Sequence, residues 1–599
     1  MSLKNLFPGL GTFLKGDAAT MILKGDAATM TGQRYVVQGR GEIRLGQSDF
    51  KARGGEGSIY VRGATAYKIF TDPQHAIPPA KILELSALTQ PNIIRPLDLL
   101  LDDRNRPVGY SMRSVGKSHA LCQLFPKAFR QRNNLTPEAM LRLVRKLQEG
   151  VSHVHARSIL IVDLNEMNFL VAEDFSQLYF IDVDSYETPS YPARVLMESV
   201  RDRHAQKFTT GSDWFSFAVV SFQMFVGIHP FKGTYPPLQH VPDKETKLDA
   251  RMRANVSVLR PEVSVPASCL PFSVIPPAYL DWYRAVFDHG RRLPPPDDAQ
   301  PAITLNPTAA PHHAGSSHFE ITEIEDFDSE IIRHDGLVTI TRKSVYFAGK
   351  KFPKPPFDVG AAVTPRLGHP VLAYMDGSNP HFYDLNDARE LAPRIEGEEI
   401  MLCGGRFYVR QHENIFAVEF IELRGGLMLG LRLAANVLPK STRLFEGLAI
   451  QNLMGAFYAS LFPAPGVCQQ VRLPALDGYQ IIDAKFQRNV LMIIAAKGGR
   501  YDKHVFRFAD DFRDYDTRLV RDISSTGLDF IVLDSGIVLH LTDEDTLEIF
   551  SRLKDSSDIK VIRDSSVQGD ARLFQAGARA LIARGSKLSG IRMRRPEQP

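Results

Sequence analysis

The sequence predicts a multidomain chain in which a bilobal α+β first half is followed by an all-β second half. Three observations carry this. The chain has 599 residues, more than one hydrophobic core serves. Strand-like alternation up to about Met112 gives way to helical periodicity from Thr136, whereas after His318 only short strands and turn signals recur. Between the halves, residues 294–318 are rich in Pro, Ala and small polar residues and have no apolar period, as a linker would. The expected division is an arm at 1–34, an α+β domain at 35–293, a linker at 294–318 and a β domain at 319–595.

Composition is that of an ordinary globular protein. The 72 basic and 68 acidic residues leave a net charge of +4, which gives no reason to expect nucleic acid or an anionic membrane as partner. Cys122, Cys269, Cys403 and Cys468 form no CxxC pair and no close cluster, so neither a zinc site nor a disulfide framework is expected, and a reducing, cytoplasmic setting fits. The first residues are broken by Lys4, Pro8, Lys15 and Asp17 and do not read as a secretory signal. The longest apolar run, Phe215–Ile228, is too short for a bilayer crossing and reads as a buried helix.

The arm contains LKGDAATM twice, at Leu14–Met21 and Leu23–Met30, a duplication far too short to be a solenoid unit. From Tyr35 to Met112, the strand-like runs Ser58–Val61, Ala66–Phe70, Ile93–Leu101 and Pro107–Met112 surround one helical stretch, Pro79–Leu88. Asp102–Arg106 reads as a turn between antiparallel strands. Thr136-Pro137-Glu138 is a helix start with Pro in the first helical position, and one long helix is expected over 136–156. In the linker, His312, His313 and His318 read as a flexible His-bearing stretch rather than a metal site. In the second half Asp534-Ser535-Gly536 separates Phe530–Leu533 from Ile537–Leu541, a hairpin signal, and Val490–Ala496 is a strongly apolar strand. Strand pairs recurring over about 280 residues suit a β-propeller of five to seven blades of roughly 40–45 residues each; a pair of β-sandwiches is the competing reading.

Chemistry-bearing residues occur in the first half. Gly54-Gly55-Glu56-Gly57 is a glycine-rich turn between strand-like runs, where backbone N–H groups can approach phosphate oxygens with no Cβ in the way. Lys68 follows on the next strand. Asp163 and Asn168 lie five apart in a tight loop after the long helix, and Asp182 ends a further apolar run. Three oxygen-bearing side chains beside buried strands suit a magnesium site and a base.

These segments together resemble the eukaryotic-type protein kinase superfamily over roughly Gly41–Leu293, especially bacterial branches whose catalytic loop reads D-L-N-x-x-N and whose metal motif reads D-V-D-S. The resemblance implies ATP and magnesium between two lobes. It implies Lys68 as the phosphate-gripping lysine, Asp163 as the catalytic base, and Asn168 and Asp182 as metal ligands. Gly54, Gly55 and Gly57 would line the phosphates, with Ala52 where the first loop glycine would stand. Glu84 is the helix carboxylate expected to pair with Lys68, although a gap-free count back from Pro91-Asn92-Ile93 places Lys81 there instead. Asp213, opening the buried helix, would brace the catalytic loop, and His155 would pack structurally at a helix end. Glu198 would pair with Arg291 or Arg292.

The pattern also departs from the family. Ile161-Val162 replace the His-Arg before Asp163, which removes the usual clamp for a phosphorylated activation loop. Asn165 replaces the catalytic-loop lysine, which removes one source of charge stabilisation. Asp184 replaces the glycine of the metal motif. The resemblance therefore implies a Ser/Thr protein kinase whose β domain recruits a protein substrate or partner. The alternative is a nucleotide-binding pseudokinase scaffold, and a small-molecule phosphotransferase ranks third.

Overall fold

A computed structural model describes residues 32–193, 197–238, 247–297 and 318–594, apart from 378, 425, 465, 525–526, 543–545 and 568–570. The duplicated LKGDAATM segment, His312 and His313 lie outside the described residues, as does nearly all of the expected linker.

The first lobe is a seven-stranded antiparallel sheet in the order β2-β1-β6-β7-β5-β4-β3. Its strands are β1 (Gln33–Val37), β2 (Gly41–Leu45), β3 (Phe50–Arg53), β4 (Gly57–Arg62), β5 (Thr65–Phe70), β6 (Leu99–Leu101) and β7 (Pro107–Arg113). Helix α1 (Pro79–Leu85) runs between β5 and β6. The expected strand Ile93–Leu101 shrinks to β6. Pro96 carries no amide proton, and the segment before it serves the other lobe: Ile94 N–H donates to Phe180 O at 2.9 Å. Gly57 is needed for close approach, because a Cβ there would strike the Ile69 carbonyl oxygen on β5.

The second lobe is mainly helical. It comprises β8 (Ser118–Ala120), α2 (Lys127–Arg132), α3 (Pro137–His155), β9 (Phe169–Ala172), β10 (Leu178–Phe180), α4 (Thr210–Val226), α5 (Lys247–Arg253) and α6 (Pro277–Phe287). Helix α3 starts where Thr136 Oγ1 accepts from Ala139 N–H at 3.2 Å, with Pro137 in the first turn. Helix α4 is buried on every side, packs against α3 and α6, and stops at Gly227 in the left-handed region, φ 87°. Among the described residues no helix is long and apolar enough to cross a membrane.

The second half is a run of seven four-stranded antiparallel sheets. Sheets 1 to 6 cover 331–353, 359–390, 399–436, 442–472, 480–520 and 529–563. Sheet 7 covers 572–593 and is completed by Phe319–Asp326, which pairs with Lys587–Met593. The first strands of sheets 1 and 7 touch, so the run closes into a ring. Apolar clusters bridge neighbouring sheets throughout: one holds Val345 of sheet 1 with Val359 of sheet 2, another Val490 of sheet 5 with Phe530 of sheet 6. Inner strands bracket a central cavity of about 950 Å³, which Gln131 and Arg132 of α2 also line. This closed series is compatible with a propeller.

The ring touches both lobes. Lys440 Nζ donates to Val61 O at 2.6 Å, and Arg53 Nη1 to Met454 O at 3.1 Å, joining it to the first lobe. On the second lobe, Lys232 Nζ donates to Asp522 Oδ1 at 2.9 Å and Ile523 O at 2.8 Å. Ile482, Ile494, Ala496, Tyr501 and Ile523 of the ring belong to the same apolar core as α3 and α4.

Candidate active site

Lys68 sits mid-strand on β5, opposite Ile59 of β4 and Tyr110 of β7. Period-two alternation puts it on one face with Ala66 and Phe70. That face meets the second lobe, so Lys68 is only 5% exposed. Its ammonium contacts Asp182 Oδ1 at 2.6 Å, Asp184 Oδ2 at 2.9 Å and Glu56 Oε2 at 3.6 Å. Burial works against the charge, but Tyr110, Asp184 and Asp182 outweigh it and hold Lys68 well above the ordinary lysine value. Asp184 also accepts from Tyr110 OH at 2.6 Å, and its backbone oxygen accepts from Lys81 Nζ at 2.7 Å. Asp182 adopts the left-handed region, φ 60°, a backbone strain of the kind that gathers at functional sites. Burial foremost, and repulsion from Asp184, push its carboxyl up against the pull of Lys68.

The loop after α3 carries Asp163 and Asn168. Asp163 Oδ1 accepts from Met197 N–H at 2.7 Å, and Oδ2 from Asn168 Nδ2 at 3.2 Å. Burial raises the Asp163 carboxyl, the hydrogen bonds from Met197, Asn165 and Asn168 oppose this, and Glu56 adds repulsion. Ile181 N–H donates to Asn168 O at 3.0 Å, which ties this loop to the segment that delivers Asp182. Asp213, near the start of α4, braces the loop from beneath. Its carboxylate accepts from Ile161 N–H at 2.8 Å, Val162 N–H at 2.9 Å and the His155 ring at 2.9 Å. Val162 lies at φ 63°, rare for a β-branched residue, and the Asp213 acceptor stabilises that bend. His155 also packs edge-on against Trp214.

Lys68 thus meets Asp182 across the two lobes, Asp163 and Asn168 share the loop tied to the segment that delivers Asp182, and Gly54, Gly55 and Gly57 form the turn around Glu56. Gly54 N–H closes that turn on Gly57 O at 2.8 Å. Two expectations are corrected. Glu84 does not reach Lys68: it lies at the surface and accepts from Ser190 N–H at 3.3 Å. Helix α1 turns Lys81 inward instead, three residues earlier and about 60° around the helix from Glu84. Glu198 does not pair with Arg291 or Arg292. Arg292 instead grips Asp202 at 2.5 and 2.6 Å, while Glu198 contacts Arg201 and Arg203.

Glu56, Asp182 and Asp184 each place one oxygen within 4.8 Å of the others, a hard-donor set that suits magnesium. Asn168 turns its amide nitrogen to Asp163, which leaves its carbonyl oxygen pointing away from that carboxylate. Sequence reasoning missed Glu56 and Tyr110 as partners of this cluster. The sequence signal for Glu56 was its place between the glycines; Tyr110 gave none, because its meeting with Lys68 depends on strand order.

No protein-family model matches the chain, and no curated protein matches it. Among solved structures the chain is similar to the Cydia pomonella granulovirus kinase PK-1, with 15% identity and a TM-score of 0.31, over 41% of this chain and 91% of that one. A likeness that remote does not bear on activity.

Proposed function

We propose that the chain is an ATP- and magnesium-dependent phosphotransferase of the protein-kinase type, acting on serine or threonine hydroxyls, with the C-terminal ring recruiting substrate or partner. The observation that carries this is the meeting of Lys68 with Asp182 at 2.6 Å, across 114 residues and two lobes, beside Asp163 and Asn168. Lys68 would hold the phosphates, and Gly54, Gly55 and Gly57 would cover them with backbone. Asp182 and Asn168, joined by Glu56 or Asp184, would hold magnesium, which neutralises phosphate charge when bound. Asp163 would orient the acceptor hydroxyl. As the hydroxyl oxygen bonds the γ-phosphorus, the β–γ bridging bond breaks to release ADP, and the hydroxyl proton passes to the Asp163 carboxylate.

Asn165 supports the second reading, a nucleotide-binding scaffold. Its side chain is buried, accepts from Met167 N–H at 2.8 Å and puts no cation beside Asp163. One experiment separates the two. The full-length chain with labelled ATP and magnesium should label itself or a generic protein substrate, and Asp182→Ala should lower labelling about a hundredfold or more. Equal labelling by that variant overturns the kinase reading. Thermal stabilisation by magnesium–ATP without any transfer favours the scaffold.

A further inference from the structure

We propose that the hairpin Val490–Lys497/Arg500–Phe508 of the C-terminal ring is a positioning element for the Asp163 loop, acting through Tyr501 on Glu166 and through Gly499 on Met197. The inference rests on the reading of Asp163 given above. Glu166 stands inside the loop, three residues after Asp163 and two before Asn168. It is 3% exposed, and its Oε1 accepts from Tyr501 OH at 2.6 Å across 335 residues. A buried carboxyl is costly without a hydrogen-bond partner, so the bond to Tyr501 fixes where the loop can sit. The carboxyl gives the loop a directional tie to the other domain.

The hairpin's turn makes the second contact. Gly499 has φ 74°, and a Cβ there would stand 2.5 Å from Met197 Cγ and 2.8 Å from Ser199 Oγ. Met197 is the residue whose N–H donates to Asp163 Oδ1. One hairpin therefore supports both the loop that carries Asp163 and the segment that caps it. Between them lies a cavity of about 20 Å³ lined by Glu166, Ser199, Gln223, Gly499 and Tyr501. Three buried atoms on those residues, Glu166 Oε2, Ser199 Oγ and Gln223 Oε1, have no protein partner. The size and polarity suit one bridging water that would join loop, segment and α4. Other ring contacts of this lobe, Gln123 Nε2 to Ile482 O at 3.1 Å and Lys232 Nζ to Asp522 Oδ1 at 2.9 Å, fall on its frame rather than on the loop.

The test uses the full-length chain and the variants Tyr501→Phe, Glu166→Leu, Glu166→Gln and, as an interface control, Lys440→Met. Tyr501→Phe and Glu166→Leu should speed amide exchange over 163–171 about tenfold or more, with the rest of the lobe unchanged. Glu166→Gln keeps an acceptor and should restore slow exchange, and Lys440→Met should leave the loop unaffected. With ATP and magnesium, Tyr501→Phe should lower kcat about tenfold while KM for ATP stays within about twofold. Unchanged exchange in Tyr501→Phe overturns the proposal, as does faster exchange with undiminished turnover in an active enzyme. Should the wild type transfer no phosphate, the kinase reading fails, and loop-specific exchange, faster in Tyr501→Phe but not in Lys440→Met, still upholds the tie.

Discussion

Asp184 holds Lys68 and Tyr110 at once, and removing it would leave a buried ammonium and a buried phenol short of their acceptor. Asp184→Ala should therefore cost about 3 kcal/mol or more of stability, read as a lower urea midpoint at an unchanged slope. Glu84→Ala should move the midpoint far less, because Glu84 lies at the surface and its backbone partner is the exposed Ser190. If the two variants behaved alike, the assignment of Asp184 as the anchor of Lys68 would be wrong. His229 supplies a separate pH test. Phe231 N–H donates to its Nδ1 at 3.2 Å, so Nε2 carries the proton and donates to Ser199 O at 2.9 Å. Burial pulls its pKa down to about 3, with Lys232 and Arg251 adding to the pull and the Ser199 carbonyl opposing it. Below pH 6.5 the unfolded chain takes up a proton that the folded chain refuses. The contribution is thus complete above 6.5 and is lost as pH falls toward 3, by up to about 1.4 kcal/mol per pH unit. His229→Gln should flatten that part of the stability profile, and a profile as steep as the wild type's would exclude His229 as its source.

At the scale of elements, the loop after α3 depends on α4 to hold its shape. Asp213 accepts from two successive backbone N–H groups of that loop, one of them at the strained Val162. Asp213→Ala leaves both donors buried and unpaired and should cost about 3 kcal/mol, read as a lower urea midpoint. Much of this was legible beforehand, because the signals are local. Thr136-Pro137 marks the start of a helix expected at 136–156 and found at Pro137–His155. Asp534-Ser535-Gly536 lies between two strands, Asp529–Val532 and Ile537–Leu541. The spacing within 163–168 and the acid at 182 singled out side chains that the fold brings into contact, Asn168 with Asp163 and Asp182 with Lys68. What stayed hidden depends on contacts between distant segments. Glu84 was the obvious carboxylate by type, yet helical phase presents Lys81 inward, and only a count along the chain hinted at it. Glu166 reads as one polar residue among several, and its partner lies 335 positions away with no pattern linking the two.

At the scale of the whole molecule, one apolar core crosses the boundary between the α+β half and the ring, so the two halves should not unfold separately. Ile482, Ile494, Ala496, Tyr501 and Ile523 enter the core of the second lobe. At about 1.5–3 kcal/mol for each large buried side chain, their withdrawal would cost on the order of 8 kcal/mol, comparable to the whole stability of a typical domain. The chain carries its own pair of probes for this. Both of its tryptophans, Trp214 and Trp282, lie in the helical lobe, whereas strand content is concentrated in the ring. Tryptophan fluorescence follows the first half, and far-UV circular dichroism in the strand region follows mainly the second. Titrated with urea, the two signals should give one midpoint. Replacing Ile494 and Ile523 by Asp would bury unpaired charge in the shared core and should pull both midpoints down together. Two midpoints separated in the wild type, with fluorescence changing while the strand signal stays intact, would mean that the halves are independent domains and that the ring's grip on the Asp163 loop is too weak to position it.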